Sequence, residues 1–113
     1  DAARESAFSA PGAIPLGQAL DELREWLGTD KISRENMRPY GNGADFDISM
    51  LAHAYGQQGT PWQFYNVRCY RTIKSEPRFK SIPRVVPTIA HHALYDAIAQ
   101  AQHLQAIWKE LRA

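Results

Sequence analysis

Two stretches of the chain repeat their apolar residues every three or four positions, which is the spacing of one helical face. The longer series is Leu94, Ala97, Ile98, Ala101, Leu104, Trp108 and Leu111. The other is Leu16, Ala19, Leu20, Leu23, Trp26 and Leu27, with Asp21, Glu22, Arg24 and Glu25 off the stripe. Pro15 stands where a helix tolerates proline, and Gly28 supplies a stop. A third helix is expected from about Asp45 to Tyr55, with Asp47, Met50, Leu51 and Ala54 sharing one face. Strands are expected at Met37–Tyr40, where Pro39 argues for an edge or a strand end, and at the aromatic run Trp62–Arg68. Cys69–Lys74 reads as a short helix. Asp1–Ala10 reads as the tail of a helix closed by Pro11-Gly12. The remaining connections are polar or proline-rich, among them Gly56–Pro61 and Ser75–Pro87.

The chain has 113 residues, room for one domain. Its composition, 44% hydrophobic and 22% charged, is ordinary for a globular protein and argues against disorder. No apolar run is long enough to cross a membrane, and no signal peptide is visible, so no membrane partner is expected. A single Cys69 rules out an internal disulfide and a cysteine-based zinc site. A reducing, cytoplasmic setting is the default expectation.

The net charge of +1 conceals an uneven distribution. Arg68, Arg71, Lys74, Arg78, Lys80 and Arg84 are opposed in their stretch only by Glu76. Such a segment tracks phosphates, or serves as a solvated loop. The first thirty residues are acidic instead.

Candidate chemistry gathers where the long helix begins, at Ala90-His91-His92-Ala93-Leu94-Tyr95-Asp96-Ala97. Residues four apart share a helical face, so a helix running through both histidines pairs His92 with Asp96. His91 works with Asp96 only if the backbone at His91 is not yet helical. The plainer reading is a helix start whose Asp96 favours the dipole. Asp47, in the first turn of the third helix, admits the same two readings, and Asp45 beside it fits an N-cap. A further arrangement places His92, Asp96 and His103 on one helical face, where three ligands on one straight helix enclose a metal poorly.

His91-x-x-x-x-Asp96-Ala97 at a helix start resembles the third motif of the DEDDh 3′–5′ exonucleases, the group that includes ribonuclease T. Gly41-Asn42-Gly43-Ala44-Asp45-Phe46-Asp47, followed by Leu51, resembles their second motif, with Asp47 as the matching acid. Pro61-Trp62, an aromatic stretch and Arg71-Thr72 follow in the order found in phage and bacterial exonucleases. The first motif, Asp-x-Glu on an opening strand, does not occur in the sequence. The resemblance therefore implies an α/β, ribonuclease H-like exonuclease fold of which residues 1–113 form the C-terminal portion. That portion would hold roughly three main helices and two short strands.

The resemblance further implies metal-dependent hydrolysis of phosphodiester bonds at the 3′ ends of RNA or single-stranded DNA. Two Mg²⁺ or Mn²⁺ ions about 4 Å apart would stabilise the attacking and leaving oxygens. Asp47 and Asp96 would be ligands, and His91 the general base, a task suited to imidazole near neutral pH. Phe46, Trp62 and Arg71 are candidates for substrate contacts; Arg71 equally well ties its own loop to the domain. The alternative is a non-catalytic nucleic-acid-binding or interaction module that keeps the fold with an incomplete site. Both long apolar stripes need a sheet to bury against. Further strands are therefore expected from outside the chain, on a missing N-terminal half or a partner chain such as a second copy in a homodimer. The chain alone is expected to be inactive.

Overall fold

The computed structural model describes residues 12–29 and 31–112. Helix α1 spans Leu16–Gly28, strand β1 Tyr40–Gly41, helix α2 Ala44–Tyr55, strand β2 Arg68–Cys69, helix α3 Tyr70–Lys74 and helix α4 Ala93–Arg112. Single 3₁₀ turns occupy Gly56–Gln58, Phe64–Asn66 and Pro77–Phe79. The helix expected over Asp1–Ala10 lies outside the described residues.

The two strands are parallel, with Tyr40 opposite Arg68 and Gly41 opposite Cys69. Parallel neighbours need a crossover connection, and α2 lies within it. Both strands thus end at the same edge, and each runs into a helix there. They are shorter than the sequence pattern suggests. Pro39 lacks an N–H and contributes only its carbonyl, which accepts from the Arg68 amide at 2.9 Å. The aromatic stretch before β2 folds into the Phe64–Asn66 turn. Its groups converge on Glu35: Gln63 and Tyr65 donate to the carboxylate at 2.6 and 2.9 Å, and Asn66 to the carbonyl at 2.6 Å.

A first core forms where α1 meets the end of α2. Leu20, Tyr55 and Trp62 are buried together, with Leu27, Met37, Ile48, Leu51, Ala54 and Val67 packed around them. The rings of Tyr55 and Trp62 meet edge to face at 6.0 Å. The Tyr55 hydroxyl donates to the Leu20 carbonyl at 2.9 Å, so this buried phenol is satisfied. The Arg24 guanidinium lies 5.0 Å over the Tyr55 ring and donates to the Gly59 carbonyl, joining α1 to the loop beyond α2.

A second buried set lies where α3 packs on α4: Tyr70, Phe79, Ala99, His103 and Ile107. Here the structure departs from the apolar pattern. Leu94 and Ile98 are 58% and 42% exposed, and Trp108 and Leu111 are also open to solvent. Helix α4 instead buries the neighbouring face, Ala99, His103 and Ile107, spaced four apart. On α1 the stripe is half used: Leu20 is buried while Leu16 and Trp26 stay exposed. Burying a side chain of this size is worth about 1.5–3 kcal/mol, a stabilisation these residues contribute only in part. No helix among the described residues is long and apolar enough to cross a membrane.

Candidate functional site

The first of the two motif-bearing turns leaves β1. Gly41 is buried, and a Cβ there would stand 3.1 Å from both the Ala44 Cα and the Ile48 Cγ1, so any larger residue would press these neighbours outward. Gly43 takes φ 91°, a left-handed value natural to glycine, and occupies the N-cap of α2. Its carbonyl accepts from the amides of Phe46 at 2.9 Å and Asp47 at 3.3 Å. Asp47 is thereby fixed in the first turn, with its side chain exposed. Asp45 is not the N-cap that the sequence suggests: it lies inside the helix, and no side chain caps α2. A cavity of 340 Å³ opens beside this turn, lined by Asp45, Ser49, Thr60, Trp62, Phe64 and four aliphatic residues. Asp47, His91 and Asp96 do not line it.

Two side chains from beyond β2 close on the same turn. Arg71 donates from Nε to the Asn42 Oδ1 and from Nη2 to the Asn42 carbonyl, both at 3.2 Å. Arg71 therefore does tie α3 to the β1–α2 turn. The Cys69 thiol is held down at about 6, chiefly by the Thr72 hydroxyl and then by the amides of Ala44, Thr72 and Gly43, against the opposing effect of burial.

The second motif-bearing turn precedes α4. His91 is not helical: its φ is 61°, left-handed and uncommon for a residue with a side chain. The helix begins at Ala93, and the His92 carbonyl accepts from the Asp96 amide at 2.9 Å. The backbone condition under which His91, rather than His92, works with Asp96 is met. The His92 ring lies 4.9 Å from that of Tyr95. Asp96 is half-buried and shares the face of Ala99, His103 and Ile107, at offsets of roughly three, seven and eleven residues.

Among the substrate candidates, Phe46 is 67% exposed at the mouth of α2, whereas Trp62 is 3% exposed and belongs to the core. His103 is also settled. Its Nδ1 meets the Tyr70 hydroxyl at 2.6 Å and its Nε2 the Ile82 carbonyl at 3.2 Å. Ile82 only accepts, so Nε2 carries the proton and Nδ1 accepts from Tyr70. With both nitrogens engaged, His103 is no metal ligand, which removes the His92–Asp96–His103 arrangement. The spacing Ala99, His103, Ile107 was the sequence signal for this buried face. The more numerous apolar residues of the adjacent stripe masked it.

The donors at the two turns are carboxylates, the oxygen chemistry that Mg²⁺ and Mn²⁺ prefer. Among the described residues, however, no three His, Cys, Asp or Glu side chains are grouped as a metal site. Asp47 and Asp96 fit such ions in kind but do not make a closed site by themselves.

The turn that enters α2 lies at the carboxyl end of β1, the edge at which α/β folds bind ligands. The family model of the 3′–5′ exoribonuclease Rv2179c-like domain matches residues 1–108. The chain belongs to this family. No curated protein and no solved structure matches it. The family's name points to a hydrolase that removes nucleotides from the 3′ end of RNA, and the mixed helix-and-strand architecture is compatible with an α/β fold.

Proposed function

We propose that the protein is a metal-dependent 3′–5′ exoribonuclease of the DEDDh type, with a ribonuclease H-like fold. The observation that carries this reading is the left-handed His91 immediately outside α4, with Asp96 in the first turn of that helix. In this reading Asp47 and Asp96 would hold divalent ions. The ions, when bound, supply charge stabilisation for the phosphodiester in the transition state. His91 takes a proton from the attacking water through a ring nitrogen; its exposure gives that proton a route to solvent. Phe46 offers an exposed ring on which a base can stack, and Arg71 holds the β1–α2 turn in place.

Two carboxylates do not complete the site. In this reading the other two come from a strand carrying Asp-x-Glu outside these 113 residues, lying against the exposed stripe of α4. The experiment is to incubate 5′-labelled single-stranded RNA with Mn²⁺ and either the chain alone or the chain joined to such a segment. A ladder shortening from the 3′ end, appearing only with the segment and lost in Asp96→Asn, is the expected result. Internal cuts, or shortening from the 5′ end, would overturn the reading.

A further inference from the structure

Three cations, Arg71, Lys74 and Arg84, lie on or near α3, and Lys74 feels the charges of the other two. Arg71 and Lys74 are three residues apart, so they share a face of this helix. Arg71 is pinned by its two bonds to Asn42, and its guanidinium stands 3.6 Å from where a Cβ on Gly43 would lie. The Lys74 ammonium sits 5.0 Å from the centre of the Tyr70 ring. That ring is fixed in turn by His103, whose other nitrogen holds the Ile82 carbonyl. The Ile82 amide donates to the Phe79 carbonyl at 3.1 Å, and Phe79 is buried. Arg84 follows two residues after this anchored point.

The electrostatics agree with the placement. Lys74 is held below its ordinary value first by burial, then by the charges of Arg84 and Arg71; only the Cys69 thiol acts in the other direction. Like charges on rigid supports repel one another, and an anion between them relieves the repulsion. The position selects among anions. Arg71 reaches the Gly41–Asp47 turn at the carboxyl ends of the strands, so the cluster flanks the candidate site.

We infer that Arg71, Lys74 and Arg84 form a cradle for a backbone phosphate of the RNA strand, distinct from the phosphate that is cleaved. The inference rests on the exoribonuclease reading and assigns Lys74 and Arg84 a role in holding substrate. The buried Tyr70–His103–Ile82 chain fixes the ring beneath Lys74 and anchors the backbone two residues before Arg84. Arg71 divides its donors between Asn42 and the ligand, so Lys74 and Arg84 carry most of the salt-dependent binding.

The test is fluorescence anisotropy with a labelled ten-nucleotide oligouridylate in EDTA, titrated over a range of salt concentrations. Each phosphate contact on a single strand contributes about 0.7 to the slope of log affinity against log salt. Lys74→Gln and Arg84→Gln should each weaken binding and reduce that slope by about 0.7, and Lys109→Gln, far along α4, should not. Arg84 is exposed, so its variant keeps the test valid should Lys74→Gln disturb the Tyr70 contact. RNA binding with an unchanged slope in Arg84→Gln would overturn the cradle and leave the exoribonuclease reading standing. Failure of the wild-type protein to bind RNA would overturn both.

Discussion

The turn that enters α2 and the turn that enters α4 solve one local problem with opposite materials. Each places a left-handed residue ahead of a helix and an aspartate in its first turn: Gly43 before Asp47, His91 before Asp96. The α2 entrance is clamped. Gly41 is buried beneath it, Arg71 bonds to Asn42, and the Cys69 thiol faces the Gly43 and Ala44 amides. At the α4 entrance, residues 88–94 are exposed, and the backbone bond from Asp96 to His92 is what holds the first turn. Glycine at the clamped entrance accepts the left-handed conformation freely. Histidine at the open one does not, and a strained residue carrying a proton-transfer group points to function rather than packing. The difference teaches that the α2 entrance is held by its surroundings, while on the proposed reading the left-handed backbone at the α4 entrance serves the His91 side chain.

The sharpest way to break this comparison is at His91. On the proposed reading, His91→Ala should slow RNA trimming in the chain joined to the Asp-x-Glu segment by about 10²–10⁴-fold, the usual contribution of a general base. His92→Ala should leave the rate nearly unchanged, because its contribution to the turn is a backbone carbonyl. Single-turnover rates at saturating Mn²⁺ decide the matter. Equal losses from both substitutions would reject His91 as the base.

At the clamped entrance the effect should fall on stability. Gly41→Ala puts a methyl 3.1 Å from the Ala44 Cα, a backbone atom that cannot swing aside. Overpacking of this kind costs about 1–3 kcal/mol, more than the fraction of a kcal/mol gained by stiffening the unfolded chain. A urea midpoint lowered with an unchanged slope is the expected observation. An unchanged midpoint would show that the entrance yields.

These two entrances also show what the chain discloses before it folds. Both motif turns, the three main helices and the first-turn positions of Asp47 and Asp96 were legible, because glycine, proline and apolar spacing act locally. The two strands were legible in number and approximate place but not in extent. Pairing at Tyr40–Gly41 alone reflects Pro39 next to it, and the aromatic run before β2 turns because Gln63, Tyr65 and Asn66 all bond to Glu35, which lies roughly thirty residues upstream. The face of α4 that packs was hidden for a similar reason. A buried His103 is acceptable only because Tyr70 and Ile82 satisfy it, and spacing along one helix cannot reveal partners on other segments.

The Cys69 thiol offers a gentler probe of the clamp. Its value falls from an ordinary 9.0 to about 6, so in the folded protein it is largely thiolate at neutral pH. Alkylation by iodoacetamide should rise through a midpoint near pH 6. The sign of the linkage follows from the depression. The contribution of Cys69 to stability is complete above the unfolded value and is lost as pH falls through about 6. The stability difference between wild type and Cys69→Ala should therefore grow between pH 6 and pH 9. A thiol midpoint near 9 would mean that the Thr72 hydroxyl and the amides of Ala44, Thr72 and Gly43 do not hold it.

The smallest effect tests the open entrance itself. If the turn demands a left-handed residue at position 91, then His91→Gly and His91→Ala, both lacking the imidazole, should differ in stability. Alanine carries a Cβ penalty of about 1–2 kcal/mol in that conformation, and glycine carries none. Glycine loses about 0.5–1 kcal/mol more backbone entropy on folding, which offsets part of the difference. His91→Gly should therefore unfold at a urea midpoint slightly above that of His91→Ala, by the equivalent of about 0.5–1 kcal/mol. The two variants should be equally slow as enzymes, since neither holds a base. A less stable glycine variant would mean that the backbone at 91 is free to leave the left-handed region. His91 would then owe its position to bound substrate rather than to the turn.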